Sequence, residues 1–139
     1  LGRVDMAEKR LVYANAGHEL PFLQCGQEPV QRLDHSDLIL GVEADTTYEE
    51  CCRPICSGTK LVLVSDGVTE AFNPDDEPFG TERVTDTIER AFDQHASGLV
   101  RRFNSALEAF RDGREAFDDT TLVVAELVKE DGHSSEAAS

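Results

Sequence analysis

The chain of 139 residues is poor in basic side chains, with 13 lysines and arginines against 28 aspartates and glutamates and a net charge of −15. Binding to nucleic acid or to anionic membranes requires basic patches, so this balance argues against both partners. No apolar run approaches the roughly 20 residues that a membrane-spanning helix needs. The hydrophobic share of 40% is ordinary for one soluble domain, and we expect a cytoplasmic protein.

The four cysteines lack the spacing of two common functional motifs. Cys51, Cys52 and Cys56 cluster without the paired Cys-x-x-Cys pattern of a zinc site, and no histidine lies nearby to complete one. No arginine follows any cysteine at the Cys-x5-Arg spacing of thiol-based phosphatases. We therefore expect small, partly buried residues of a cytosolic protein.

The first half of the chain has the pattern of β-structure. Short apolar segments separated by turn residues predict hairpins and an antiparallel sheet. The most apolar segment, residues 60–65, is predicted to be buried on both faces. Strands are predicted at 10–14, 20–24, 29–33 and 60–65, with a β-prone stretch that begins at Thr46.

Two helices and a final strand follow. Apolar residues at helical spacing predict both helices, with Thr81 and Ser97 as candidate N-caps and Gly113 as the stop. The stripe Leu99, Phe103, Leu107 and Phe110 is assigned to the core. The last strand is predicted at 120–128, and residues 129–139 are expected to be a disordered tail. Strands, then helices, then a strand indicate an α+β domain.

Two acidic motifs lie at the mouths of predicted strands. Asp66-Gly67 directly follows the apolar run 61–64, and Asp118-Asp119 comes shortly before the run 122–125. Carboxylates at two buried strand ends are a plausible half of a Mg²⁺ or Mn²⁺ site, because these cations prefer oxygen ligands. Each motif also has a simpler interpretation, the first as an Asp-Gly turn and the second as an acidic loop.

A third motif, residues 15–18, ends the first strong strand with Asn-Ala-Gly-His. From its residues alone, His18 is a candidate ligand, a general acid or a turn residue.

Taken together, these motifs resemble the signatures of the bacterial stage-II-sporulation-E-type serine/threonine phosphatases, a branch of the metal-dependent PP2C-like family. The order and spacing agree from about residue 1 to residue 128. The resemblance rests on residues 13–21 around Asn-Ala-Gly-His, Leu40-Gly41-Val42, residues 61–71 around Ser-Asp-Gly, Phe79-Gly80-x-x-Arg83, and residues 118–124 with Asp-Asp-Thr-Thr.

The resemblance implies a role for each matching residue. Asp66 and Asp118 would be the metal-binding and catalytic carboxylates, with Asp119 as a hydrogen-bonding neighbour. Gly67 would belong to the metal-binding turn, and Glu70 would help to shape it. Asn15 and His18 would be scaffold at the strand end.

The same resemblance implies a fold and a reaction. The fold would be an antiparallel β-sandwich with flanking helices, and two Mg²⁺ or Mn²⁺ ions would activate water to hydrolyse phosphoserine or phosphothreonine. The substrate would be a phosphorylated regulatory protein such as an anti-sigma-factor antagonist. An inactive fragment, or a degenerate protein-interaction module of the same fold, is the alternative.

One part of the family pattern is missing from the sequence. The family domain begins with a strand that carries further metal-binding residues, whereas residues 1–12 contain only Asp5 as an aspartate. The chain starts with Leu1 and no initiator Met, so we expect residues 1–128 to be the C-terminal portion of such a domain. Without the strands of the other portion, this portion would have exposed sheet edges. Exposed edges would favour binding of a partner, and a second copy of the chain is one option. Light scattering should then show an oligomer, and a clean monomer with a well-packed core would contradict this expectation.

Overall fold

The computed structural model describes residues 1–116 and 118–128, so the predicted tail lies outside the described residues. Within these ranges, no helix has the length and apolar character needed to cross a membrane. In chain order the elements are β1 Gly2–Asp5, β2 Arg10–Tyr13, β3 Phe22–Gln24, β4 Gln31–Arg32, β5 Cys51–Pro54, β6 Lys60–Val64, α1 Asp66–Thr69, α2 Gly80–Glu89, α3 Ala96–Arg111 and β7 Leu122–Glu126.

The strands form two antiparallel sheets. The first sheet has the order β1-β2-β5 and the second has the order β4-β3-β6-β7. The hairpin predicted from strands 20–24 and 29–33 is present, since β3 pairs with β4. The strand predicted at 10–14 does not pair with the next one, because β2 and β3 lie in different sheets, and β2 pairs instead with β1, which was not predicted. The β-prone stretch at Thr46 is not a strand, because the chain joins the first sheet only at Cys51, opposite Tyr13.

Side chains of the second sheet alternate between two cores. Phe22 and Val62 face the helices, whereas Leu23 and Leu61 contribute to a core with residues of the first sheet. The layers are therefore helices, second sheet and first sheet, and β6 is an inner strand that, like β3, serves both cores. This arrangement explains why its sequence is the most apolar in the chain.

The two long helices pack on the second sheet as their apolar stripes predict. Leu99, Phe103 and Leu107 of α3 are buried, and the partly buried Phe110 meets Phe79 edge to face with ring centroids 5.2 Å apart. The predicted stop at Gly113 is also present, with Gly113 in the left-handed region directly after the left-handed Asp112.

Both predicted N-caps are wrong by two positions. The cap of α2 is Phe79 rather than Thr81, because the buried Phe79 ring and the bond from its N–H to the Ala71 carbonyl fix where the chain enters the helix. The cap of α3 is His95 rather than Ser97. A carboxylate from the distant Glu126 accepts the Ala96 N–H of the first turn at 2.8 Å.

Glu126 forms a polar centre where β7 meets α3. It lies opposite Lys60 in the β6–β7 register, and its other oxygen is 3.3 Å from His95 Nδ1. Burial alone would raise the pKa of Glu126, but the Ala96 N–H, His95 and Lys60 together lower it below its ordinary 4.5. Lys60 itself is buried and donates to the Phe92 carbonyl at 2.6 Å, so α2 and α3 are both held to this end of the sheet.

The cysteines differ from their predicted state. Cys25 and Cys56 form a disulfide across 31 residues of sequence, which joins the end of β3 to the turn before β6. Cys51 and Cys52 are free thiols. The sequence offered no means of pairing them, because connectivity depends on which strands become neighbours.

The lowered pKa of Glu126 predicts a pH-dependent contribution to stability. The unfolded chain binds this proton at higher pH than the folded chain, so the contribution is present above about pH 4.5 and is lost as the pH falls through the folded pKa. Urea unfolding from pH 3 to pH 7 should show a smaller loss of stability at acid pH in Glu126→Gln than in the wild type. Glu108→Gln, at an exposed position on α3, should keep the pH dependence of the wild-type unfolding free energy. The same pH dependence in all three proteins would contradict a stabilising role for the ionised Glu126.

Candidate active site

The antiparallel pairing of β6 and β7 brings the two acidic motifs together. Val64 at the end of β6 is opposite Leu122 at the start of β7. In such a pair, the end of one strand and the beginning of its neighbour lie at the same edge of the sheet. The loops that carry Asp66 and Asp118 are consequently neighbours, although 52 residues of sequence (118 − 66) separate the two aspartates.

Ser65 joins these loops directly. Its N–H donates to the Thr121 carbonyl at 3.0 Å, and its hydroxyl oxygen accepts the Thr121 N–H at 3.0 Å. The hydroxyl also donates to the Asp119 carbonyl at 3.3 Å. Sequence reasoning did not single out Ser65 as a site residue, although its place between the apolar strand and Asp66 was an available signal.

Gly67 lies against the second loop so closely that no side chain fits. A Cβ atom at this position would overlap the Asp119 carbonyl oxygen and would lie 3.6 Å from the Asp118 carbonyl oxygen. Gly67 is buried, and the obstacle is backbone, which cannot rotate aside as a side chain can. The glycine of the Asp-Gly pair is therefore required for close approach of the two loops.

Asp66 and Asp118 are both exposed at this junction. An oxygen of Asp66 accepts the Gly67 N–H at 2.9 Å, and an oxygen of Asp118 accepts the Asp119 N–H at 2.7 Å. Each carboxylate is thus oriented by the amide that follows it, with the other oxygen outside that bond. Glu70 ends the short helix α1, where its N–H donates to the Asp66 carbonyl at 2.7 Å.

The donor set has the chemistry of a hard-cation site but not a complete one. Asp66 and Asp118 offer oxygen ligands, as Mg²⁺ and Mn²⁺ prefer, on two loops in backbone contact. Among residues 1–116 and 118–128, no three His, Cys, Asp or Glu side chains are grouped closely enough to hold one ion. The described residues therefore fit one part of a metal site.

Asn15 and His18 close a turn at the end of β2. The buried Asn15 side chain donates to the His18 carbonyl at 2.8 Å and accepts the His18 N–H at 3.0 Å. The Asn15 carbonyl accepts the Asp37 N–H, and Gly17 packs against Ile39. Within the described part of the chain, the hydrogen bonds of Asn15 and His18 do not reach either acidic loop, so their proposed role as scaffold stays a prediction.

A known family matches the part of the chain that contains these motifs. The family described as Stage II sporulation protein E (SpoIIE) matches residues 1–128. This chain belongs to the SpoIIE family. The match covers both acidic loops and the Asn15–His18 turn, and it confirms the family that the sequence motifs resemble.

Two curated relatives share this region at 30% identity. Protein IcfG of Synechocystis sp. matches over 122 residues, which is 88% of this chain and 19% of that protein. Phosphoserine phosphatase RsbU of Bacillus subtilis matches over 123 residues, which is 86% of this chain and 36% of that protein. The chain thus spans about a fifth of the length of IcfG and about a third of the length of RsbU.

Two solved structures share the fold. The SiaA-PP2C domain of Pseudomonas aeruginosa has a TM-score of 0.75 at 22% identity, with 88% of this chain and 48% of that chain covered. The phosphatase domain of SpoIIE from Bacillus subtilis, presoaked with Mn, has a TM-score of 0.70 at 14% identity, with coverage of 92% and 55%. The predicted PP2C-like α+β fold is confirmed, and this chain corresponds to about half of those domains.

The contact at Gly67 gives a direct test of the junction. Gly67→Ala should lower the free energy of unfolding by about 1–3 kcal/mol, because the added methyl must displace the Asp119 backbone. Gly2→Ala is the matched control, since a Cβ there meets its nearest atom at an ordinary 3.8 Å. Urea denaturation measures the unfolding free energy of both variants. Similar values for the two would argue against close contact between the two loops.

Proposed function

We propose that this chain is part of a metal-dependent protein serine/threonine phosphatase in which Asp66 and Asp118 are catalytic metal ligands. The observation that carries the proposal is the backbone contact between their two loops, made by Ser65 and Gly67. The β6–β7 pairing makes the two loops neighbours, and the contacts of Ser65 and Gly67 then join the loops that carry Asp66 and Asp118.

The relatives support the reaction type. RsbU of Bacillus subtilis is called a phosphoserine phosphatase, and the SpoIIE structure of similar fold was presoaked with Mn. Because the chain spans only part of these proteins, the activity belongs to the protein that contains the complete domain. Mn²⁺ or Mg²⁺ is the proposed cofactor, with two ions in the complete site.

Each residue of the junction has a distinct task in this proposal. Asp66 and Asp118 supply carboxylate oxygens to the metal, while Ser65 and Gly67 keep the two loops in contact. Asp119 contributes its carbonyl to the Ser65 hydroxyl and its N–H to Asp118. When bound, the metal ions would lower the pKa of a water and stabilise negative charge on the phosphoryl group.

The proposed substrate is a phosphorylated regulatory protein, such as an anti-sigma-factor antagonist. The strongly acidic chain carries a net charge of −15, which disfavours polyanionic substrates such as nucleic acid. A phosphoserine or phosphothreonine presents a single anionic group, which the metal ions can neutralise. The site is exposed at the edge of a sheet, as access for a protein substrate requires.

A second candidate is an inactive fragment or a degenerate interaction module of the same fold. It is favoured by the absence, among the described residues, of any group of three metal-ligating side chains. Two carboxylates alone leave a two-metal site under-liganded, because Mg²⁺ and Mn²⁺ sites are built from several oxygen ligands.

Hydrolysis of p-nitrophenyl phosphate with Mn²⁺ distinguishes these candidates. The parent protein, extended at the N-terminus of this chain, should show Mn²⁺-dependent activity that Asp66→Asn and Asp118→Asn each reduce by at least about 100-fold, because each removes a charged metal ligand. Asp75→Asn, an exposed aspartate in the loop before α2, is the matched control and should retain activity.

Three outcomes of this assay are informative. Activity in the extended protein but not in residues 1–139 would identify this chain as an inactive part of an enzyme. Activity in neither would favour the interaction module. Full activity in either aspartate variant would contradict the proposed ligand roles.

A further inference from the structure

A small cavity lies beside Asp118. It has a volume of about 140 Å³ and is bounded by α1 and the residues after it on one side and by the chain that follows α3 on the other. Gly67 and Asp118 from the candidate active site line it, together with Arg111 and Arg114. These two arginines stand out because the chain as a whole is strongly acidic.

The chain reverses direction between the end of α3 and this cavity. Asp112 and Gly113 both have positive φ, at 45° and 86°, and the Arg114 N–H donates to the Arg111 carbonyl at 2.9 Å. This tight turn ends the helix and places Arg114 three residues after Arg111 and four residues before Asp118. The two arginines thus lie where the chain leaves the helix for the acidic loop.

Arg114 fastens this segment to the loop before α2. One guanidinium nitrogen donates to the Asn73 carbonyl at 2.6 Å and to Asp76 Oδ1 at 2.7 Å. The guanidinium carbon also lies 5.6 Å from the centre of the Phe72 ring, within the range of a cation–π contact. Three contacts from one side chain fix its position better than a single exposed ion pair does.

The loop that Arg114 contacts, residues 73–77, is closed by its own hydrogen bonds. The Asn73 side-chain oxygen accepts the N–H groups of Asp75 and Glu77, at 3.0 and 2.8 Å, and its nitrogen donates to the Glu77 carboxylate. These bonds close the loop on itself. Arg114 is therefore tied to a preorganised loop rather than to a freely moving one.

Arg111 holds the other side of the acidic loop. Its Nη2 donates to the Thr120 hydroxyl at 2.8 Å, so the last residue of α3 is joined to the Asp-Asp-Thr-Thr motif. Among the described residues, the Asp118 carboxylate accepts one hydrogen bond, from the N–H of Asp119. Arg111 and Arg114 thus tether the chain on both sides of a carboxylate that has little anchoring of its own.

We propose that Arg111 and Arg114 are positioning residues that hold the Asp118 loop, and with it the Asp118 carboxylate, in place at the junction with the Asp66 loop. The inference rests on the proposed function of Asp118 as a metal ligand. Residues that orient metal ligands typically change metal affinity by about 10–100-fold when removed. The two arginines act through Asp118 and are assigned no contact with the substrate.

The test compares Arg114→Ala and Arg111→Ala with Arg90→Ala in the chain of residues 1–139. Arg90 is a suitable control because it makes one ion pair, with Asp86 on α2, at an exposed position. Amide hydrogen exchange at residues 118–121 and the Mn²⁺ dissociation constant, from electron paramagnetic resonance of free Mn²⁺, are measured for each protein. The melting temperature is recorded in parallel to detect general destabilisation.

Loss of either tether should speed amide exchange at residues 118–121 and weaken Mn²⁺ binding about 10-fold, with exchange in β3 and β6 unchanged. Arg114→Lys should be intermediate, because lysine can donate to Asn73 but lacks the planar guanidinium that faces Phe72. Arg90→Ala should match the wild type. Faster exchange with unchanged Mn²⁺ affinity would show a merely structural role and overturn the proposal.

The exchange measurement separates this inference from the proposed function. If the wild-type chain bound no Mn²⁺, the metal role of Asp118 in this chain would fail, while exchange would still report whether the arginines hold the loop. Exchange in Arg114→Ala and Arg111→Ala equal to that in Arg90→Ala would overturn the inference whether or not the metal binds.

Discussion

The antiparallel pairing of β6 with β7 is the constraint on which the candidate site depends. It places the end of one strand beside the start of the other, and it therefore brings together two loops from distant parts of the sequence. Ser65 and Gly67 then turn this proximity into direct contact, through hydrogen bonds and through the missing side chain. The acidic residues could have any sequence separation, provided that these strands stay in register.

The same strand pair is held at its other end by two charged side chains, the buried Lys60 and the partly buried Glu126. Lys60 and Glu126 face each other in the register. Lys60 donates to the Phe92 carbonyl in the segment between α2 and α3, and Glu126 accepts the first amide of α3. A shift of β7 by one residue would turn Glu126 away from the helices and leave the first amide of α3, that of Ala96, without its acceptor. The hydrogen bonds of these two charged side chains at one end thus support the alignment of the carboxylates at the other.

The parts that the sequence predicted are those carried by local patterns. The apolar run of β6, the stripe of α3 and the Asp-Gly and Asp-Asp motifs are readable without knowledge of neighbours. The parts it did not predict depend on long-range contacts. Glu126 supplies the cap of α3 from 30 residues away, Cys25 pairs with Cys56 only because the β3 end meets the turn before β6, and Arg114 reaches Asn73 across α2 and α3.

The central claim is that the loops of Asp66 and Asp118 form one cation site, and paramagnetic relaxation by Mn²⁺ tests it most directly. Trace Mn²⁺ added to the ¹⁵N-labelled chain should broaden the amide signals of Gly67 and Asp119 together, since a paramagnetic ion affects every nucleus close to it. Asp66→Asn and Asp118→Asn should each remove the broadening from both loops. Broadening at one loop alone, or loss at only the mutated loop, would contradict a shared site.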